Sequence, residues 1–162
     1  MARGAAPGVL GGFRYGSGDL TTRIVDGEFW RATYTPDGPG TLHLSWQGAE
    51  MAAEAWGPGG DWLVAHTPAL TGALDPGHRF TDGHPAVLAA QRDHDVRFGA
   101  SGTLYHELLP TILGQRITAG EALRQWRDLT RALGEPAPGP VGRLPHELRL
   151  PPDPARLATQ PT

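Results

Sequence analysis

The stretch LLPTILGQRITAGEALRQWRDLTRALGEP, residues 108–136, decides how the second half of this chain folds. Its C-terminal part carries helix signals at both ends. Thr118 is followed three residues later by Glu121, the spacing of a capping box in which each side chain satisfies the other residue's free backbone N–H. Ala122, Trp126, Leu129 and Leu133 fall at i, i+4, i+7 and i+11, one stripe of a helix. Gly134 is expected to supply a left-handed stop, and Pro136 blocks continuation. The pattern predicts a helix over 119–133.

The run before it, from 103 to 113, places Leu104, Leu108, Leu109, Ile112 and Leu113 on one side. Pro110 lies inside this run and removes a backbone donor, which predicts a kink. Between the runs, Gly114-Gln115-Arg116-Ile117 makes a short corner with Gln and Arg at its tip. A corner mounted on two helices and facing solvent suits a probe that reaches into a partner. Periodicity alone favours an ordinary helix hairpin whose polar residues face water.

Working outward, residues 18–46 read as an antiparallel meander. DLTTRIV runs into Asp26-Gly27, a type I′ hairpin signal. EFWRATYT follows, with Trp30, Ala32 and Tyr34 on one face and Phe29, Arg31 and Thr33 on the other. PDGPG reads as a looser turn into TLHLSW, where Leu42, Leu44 and Trp46 alternate with Thr41, His43 and Ser45. So small a sheet needs a cover. GAEMAAEAWG is read as a short covering helix with Met51, Ala52, Ala55 and Trp56 inward and Glu50 and Glu54 outward. DWLVAHTPAL begins another, with Asp61 as its cap, and HPAVLAAQRDHDVRF a third, with Pro85 in its first turn. Four of the five tryptophans, Trp30, Trp46, Trp56 and Trp126, fall on expected buried faces; Trp62 is undecided.

The expected fold class is α+β, a small antiparallel β-sheet with covering helices followed by the first helices of a helical domain. The expected boundaries are a flexible N-terminal arm at 1–17, the β domain with covering helices at 18–80, the helical part at 81–134 and a proline-rich extended segment at 135–162. Near the end, PPDPARLA reads as a helix start, with Asp153 capping and Pro154 at the first position. A helix announced so late gives the expectation of a truncated chain.

Composition excludes several classes of function. There is no cysteine, hence no disulfide and no thiolate metal site. No apolar run approaches the ~20 residues of a membrane helix, and MARGAAPGVLGGF lacks the hydrophobic segment of a signal peptide. The expected location is cytoplasmic. All 14 positive side chains are Arg, against 17 acidic residues. Residues 1–99 carry 7 Arg and 11 acids, whereas 100–134 carry 4 Arg and 3 acids. A dedicated nucleic-acid binder shows a clear basic surface, so any contact with DNA must come from a small patch.

Other constellations are weak. Asp93-His94-Asp95 are consecutive on a helix and point in different directions. His78 and His84 lack a third ligand. RYGSGDL and RFGASGT are glycine-serine turns without the surroundings of a phosphate loop or a nucleophile elbow. No metal and no cofactor is expected.

YHELLPTILGQRITAGEALRQWRDLTRALGEPAPGP, preceded by RFGASG and followed by RLPPDPARLA, resembles the DNA-3-methyladenine glycosylases of the helix-hairpin-helix DNA glycosylase superfamily. The resemblance covers roughly Phe80 to Ala158 and is strongest over 104–136. It implies that the helices belong to the first part of an all-helical glycosylase core, and that the partner is duplex DNA containing damaged bases. It implies DNA-binding roles for Gly114, Gln115, Arg116 and Thr118. Arg116 takes the place of the wedge that fills the gap left by a flipped nucleotide, and Gln115 that of the glutamine touching the unpaired base. Thr118 caps the helix whose free N–H groups approach a phosphate.

The chain departs from the family in two respects: many relatives carry an apolar or amide residue where Arg116 stands, and no PGIG-like hairpin occurs in the 162 residues. No catalytic residue is therefore assigned. The expected function is the N-terminal portion of a monofunctional glycosylase for alkylated bases. It would be inactive alone, because the helix-hairpin-helix and catalytic Asp belong to a missing C-terminal glycosylase half. The alternative is a non-enzymatic DNA- or protein-binding module.

Overall fold

The computed structural model describes residues 5–48, 50–77, 80–93 and 96–160. Strands β1 (Thr22–Val25), β2 (Glu28–Thr35), β3 (Gly38–Gln47) and β4 (Glu50–Trp56) form one antiparallel sheet in sequence order. With six helices among the described residues, the fold is α+β.

The first hairpin follows its sequence signal. Val25 pairs with Glu28, so Asp26 and Gly27 alone make the turn, both at positive φ (24° and 84°). The second turn is tighter than expected. Thr35 pairs with Gly38, leaving Pro36 and Asp37 between them. Thr35 Oγ1 draws it closed, accepting from Asp37 N at 3.1 Å and donating to Gly38 O at 2.9 Å.

The helix expected over GAEMAAEAWG is instead β4. Its alanines suit a helix, but β3 offers an unpaired edge. Ala53 opposite Leu44 and Ala55 opposite Leu42 place two small side chains on the core face. Alternate residues Glu54 and Trp56 turn to the other face, opposite His43 and Thr41. Pairing and burial here override local helix preference.

Both faces of the sheet are covered. On one, Phe29, Leu42 and Leu44 pack with Leu10, Leu63 and Leu70. Leu10 belongs to α1 (Ala5–Gly11) and is fully buried, so the stretch expected as a flexible arm contributes to the core. Leu63 and Leu70 come from α2 (Gly60–Leu70). The N-cap of α2 is Gly59, with no side-chain bond; Asp61 lies inside the first turn, where its charge favours the helix dipole rather than capping. On the opposite face, Trp30 and Ala32 pack with Ala137, Leu148 and Leu150. The proline-rich segment closes on itself through Ala137 N to Leu148 O (3.1 Å) and Leu150 N to Glu135 O (2.9 Å), while Arg149 N donates to Leu20 O (2.7 Å) just ahead of β1.

The remaining helices are α3 (Pro85–Asp93), α4 (Leu104–Leu113), α5 (Ala119–Leu133) and α6 (Pro154–Ala158). Asp153 caps α6 as expected, its Oδ1 accepting from Ala155 N and Arg156 N at 2.9 and 3.0 Å. Helix α4 is continuous through Pro110. Its buried residues are His106, Leu109 and Pro110, whereas Leu104 (70 % exposed), Leu108 and Ile112 face outward. Of the apolar stripe, Leu109 alone is buried, and the buried side of α4 is shared with His106 and Pro110.

Helix α5 does bury Trp126, and Thr118 Oγ1 accepts from Glu121 N at 3.3 Å at its start. Gly134 ends it differently from the expectation. Its φ and ψ are −72° and 142°, extended rather than left-handed. Glycine is required because a Cβ there would lie 2.4 Å from Leu150 O and 2.5 Å from Thr130 O.

Candidate nucleic-acid interface

The corner between α4 and α5 is built from backbone outward. Gly114 closes α4 in a right-handed conformation (φ −74°), its N–H donating to Pro110 O at 3.0 Å. Gln115 N donates to Ile112 O at 3.1 Å. The left-handed residue is Arg116, at φ 65°. A non-glycine residue in that region costs of order 1 kcal/mol or more, and here it turns the chain into Thr118.

The four residues that the resemblance marks differ in what they present. Gly114 is half-buried; Gln115, Arg116 and Thr118 are exposed. Gln115 Nε2 donates back to Thr111 O at 3.2 Å, which leaves its amide oxygen as the outward acceptor. Arg116 forms no hydrogen bond or ion pair with the described residues, nor does Arg124 on the next two turns of α5. By contrast Asp128 holds Arg127 at 3.1 Å and Arg131 at 3.5 Å. The free positive charge of the hairpin is therefore gathered near its tip. Behind the corner lies an open apolar groove of about 360 Å³, bordered by Pro110, Gly114, Ile117, Ala122 and Leu123.

The hairpin is mounted on the sheet by a polar seam that periodicity did not reveal. Arg31 of β2 is 1 % exposed. Its Nη2 donates to Glu107 Oε1 at 2.5 Å, and its Nη1 donates to Phe13 O at 2.9 Å and Thr22 Oγ1 at 3.1 Å. Tyr15 OH donates to Glu107 Oε2 at 2.9 Å. The Asp19 carboxylate is fully buried and accepts from Tyr15 N, Thr21 N, Thr21 Oγ1 and, across to α5, Trp126 Nε1 at 3.1 Å. His106 lies between Thr33 Oγ1 (2.9 Å) and Thr21 Oγ1 (3.0 Å).

Burial governs the charges in this seam. It pushes the His106 imidazolium well below its ordinary range, aided by the Arg31 charge, so the ring is neutral. It lowers Arg31 as well, against the opposing pull of Glu107 and Asp19. It raises the Tyr15 phenol, as does the adjacent Glu107 carboxylate. Nothing in the hydrophobic pattern marks these residues. The one available signal is that Arg31 and Thr33 alternate with Trp30 and Ala32 in a strand buried on both sides.

The other sequence candidates stay apart. His78, His94 and Asp95 lie outside the described residues. Among the described residues, no three His, Asp or Glu side chains converge to hold a metal ion, and no helix is long and apolar enough to cross a membrane. Trp62 is half-buried and stacks on His66 at 3.6 Å. Trp30, His43 and Trp56 form a second stack on the opposite sheet face, closed by Arg143, which lies 5.3 Å over Trp56 and 2.6 Å from Glu54. No protein-family model matches the chain, and no curated protein matches it.

Proposed function

We propose that this chain forms the N-terminal portion of a monofunctional DNA glycosylase that removes alkylated bases in base excision repair. The observation that carries the reading is Arg116: left-handed, exposed and free of partners among the described residues at the apex of a two-helix corner. The resemblance of residues 80–158 to that family supports it. Taking a nucleotide out of the stack costs a few kcal/mol. A planar guanidinium offsets part of that by stacking in the gap and pairing with the orphan base or a phosphate. In this reading Gln115 offers its free amide oxygen to the unpaired base. In the same reading the cleaving Asp and the helix-hairpin-helix belong to a C-terminal half.

The test is a binding comparison between intact duplex and duplex containing a stable abasic-site analogue. The chain is expected to prefer the abasic duplex, and Arg116→Ala to lose that preference. A preference undiminished in the variant refutes the wedge. Base release from alkylated duplex is expected only when the C-terminal half is supplied; efficient release by the 162-residue chain refutes the assignment of the carboxylate. The second reading, a binding module without chemistry, draws on the small free patch of Arg116 and Arg124. Its mark is affinity that falls steeply with salt and does not distinguish abasic from intact DNA.

A further inference from the structure

Helices α4 and α5 bury Leu109 and Trp126, yet neither apolar cluster of the sheet contains a residue from them. The polar seam does much of the joining: His106, Glu107 and Trp126 on the hairpin, Asp19, Thr21, Arg31 and Thr33 on the sheet side. We propose that this seam is an acid-sensitive latch: a proton taken up by His106 releases the α4–α5 hairpin, with its Arg116 corner, from a sheet that stays folded.

The hydrogen-bond directions show where that proton goes. Thr21 Oγ1 commits its hydrogen to Asp19 Oδ1 at 2.8 Å, so it meets His106 with a lone pair. Nε2 of His106 therefore carries the ring hydrogen and donates to Thr21, and Nδ1 accepts from the Thr33 hydroxyl. An incoming proton must bind Nδ1, which turns the only acceptor of the ring into a donor and ends the bond donated by Thr33. It also places a second cation beside Arg31 in a fully buried position, where desolvation works against it and both carboxylates of the seam are already engaged by hydrogen bonds. Arg31 on β2 repels it, Glu107 on α4 is engaged by Arg31 and Tyr15, and Asp19 ahead of β1 already accepts four hydrogen bonds. Helix α5 contributes Trp126, which does not titrate.

The sign follows from proton counting. A released histidine titrates near 6.5, whereas the latched ring stays neutral well below that. Below about pH 6.5 the open hairpin binds one proton more than the closed one, so opening gains about tenfold per pH unit. Above that pH, His106 contributes no pH dependence. The sheet has its own two apolar clusters and need not open with the hairpin.

Amide hydrogen exchange between pH 7.5 and 5, normalised for intrinsic exchange, tests this on the whole chain. Protection over 104–133 is expected to fall about tenfold per pH unit below about 6.5, with the amides of β2 and β3 unchanged. His106→Gln, neutral throughout, should remove the slope. A flat hairpin profile, simultaneous loss in hairpin and sheet, or an unaltered slope in the variant overturns the latch. Should the variant not fold, the imidazole resonances of the native chain decide. A His106 ring that titrates near 6.5 while the hairpin remains protected excludes it.

Discussion

Arg31 on β2 and Glu107 on α4 lie 76 residues apart in sequence and 2.5 Å apart in space, with the guanidinium side chain 2 % exposed. This contact fastens the hairpin to the sheet at a point where neither partner has an apolar alternative. A buried pair adds little net stability over a well-packed apolar pair, but breaking it from one side strands a charge.

Glu107→Ala should therefore lower unfolding stability by about 3 kcal/mol, since Arg31 keeps its charge and Tyr15 loses its acceptor. The double variant Arg31→Met with Glu107→Leu should recover most of the loss. Urea midpoints of the three proteins measure both; equal destabilisation in single and double variants would contradict the account.

Gly134→Ala should cost about 1–3 kcal/mol, although the backbone there suits any residue. The added methyl would press on two carbonyl oxygens of fixed backbone, Leu150 O and Thr130 O. A thermal melt at unchanged midpoint would show that the segment after α5 yields more easily than its hydrogen bonds imply.

Arg116→Gly should separate stability from recognition. Glycine relieves the left-handed strain at φ 65° by roughly 1 kcal/mol, partly offset by the added freedom of the unfolded chain. The variant is expected to be at least as stable as the parent in urea while losing any preference for abasic DNA.

At alkaline pH the Tyr15 phenol works against folding. Its titration is raised in the native state by burial and by Glu107, whereas an unfolded tyrosine ionises near 10. The unfolded chain therefore holds fewer protons above that pH, so stability is complete below about 10 and declines as pH rises through it. Tyr34 and Tyr105 are raised in the same sense. Tyr15→Phe should show a shallower alkaline loss than the parent in stability measured from pH 9 to 11.

Several elements were legible because their signals are local. Asp26-Gly27 makes its hairpin, Thr118 starts α5 and Asp153 starts α6 through bonds that span three residues or fewer. The corner residues Gln115 and Arg116 were also readable as an exposed tip, because a break between two apolar periods can only be a connection. The misreadings share one cause. Alanine content suggests a helix where β4 forms, and Asp61 suggests a cap where it lies inside the first turn of α2, because such signals describe what a segment can do alone.

The linear sequence by itself determined the Asp26-Gly27 turn, the Thr118 and Asp153 caps, the α+β class and the position of the corner, all of which depend on neighbours within about one helical turn. Tertiary structure alone decided that β3 would recruit a fourth strand, that Leu104, Leu108 and Ile112 would face outward, and that Asp19, Arg31, His106 and Glu107 would meet in one water-poor seam. A buried polar group is satisfied by a partner brought from far along the chain, and no periodicity within a segment encodes who that partner is.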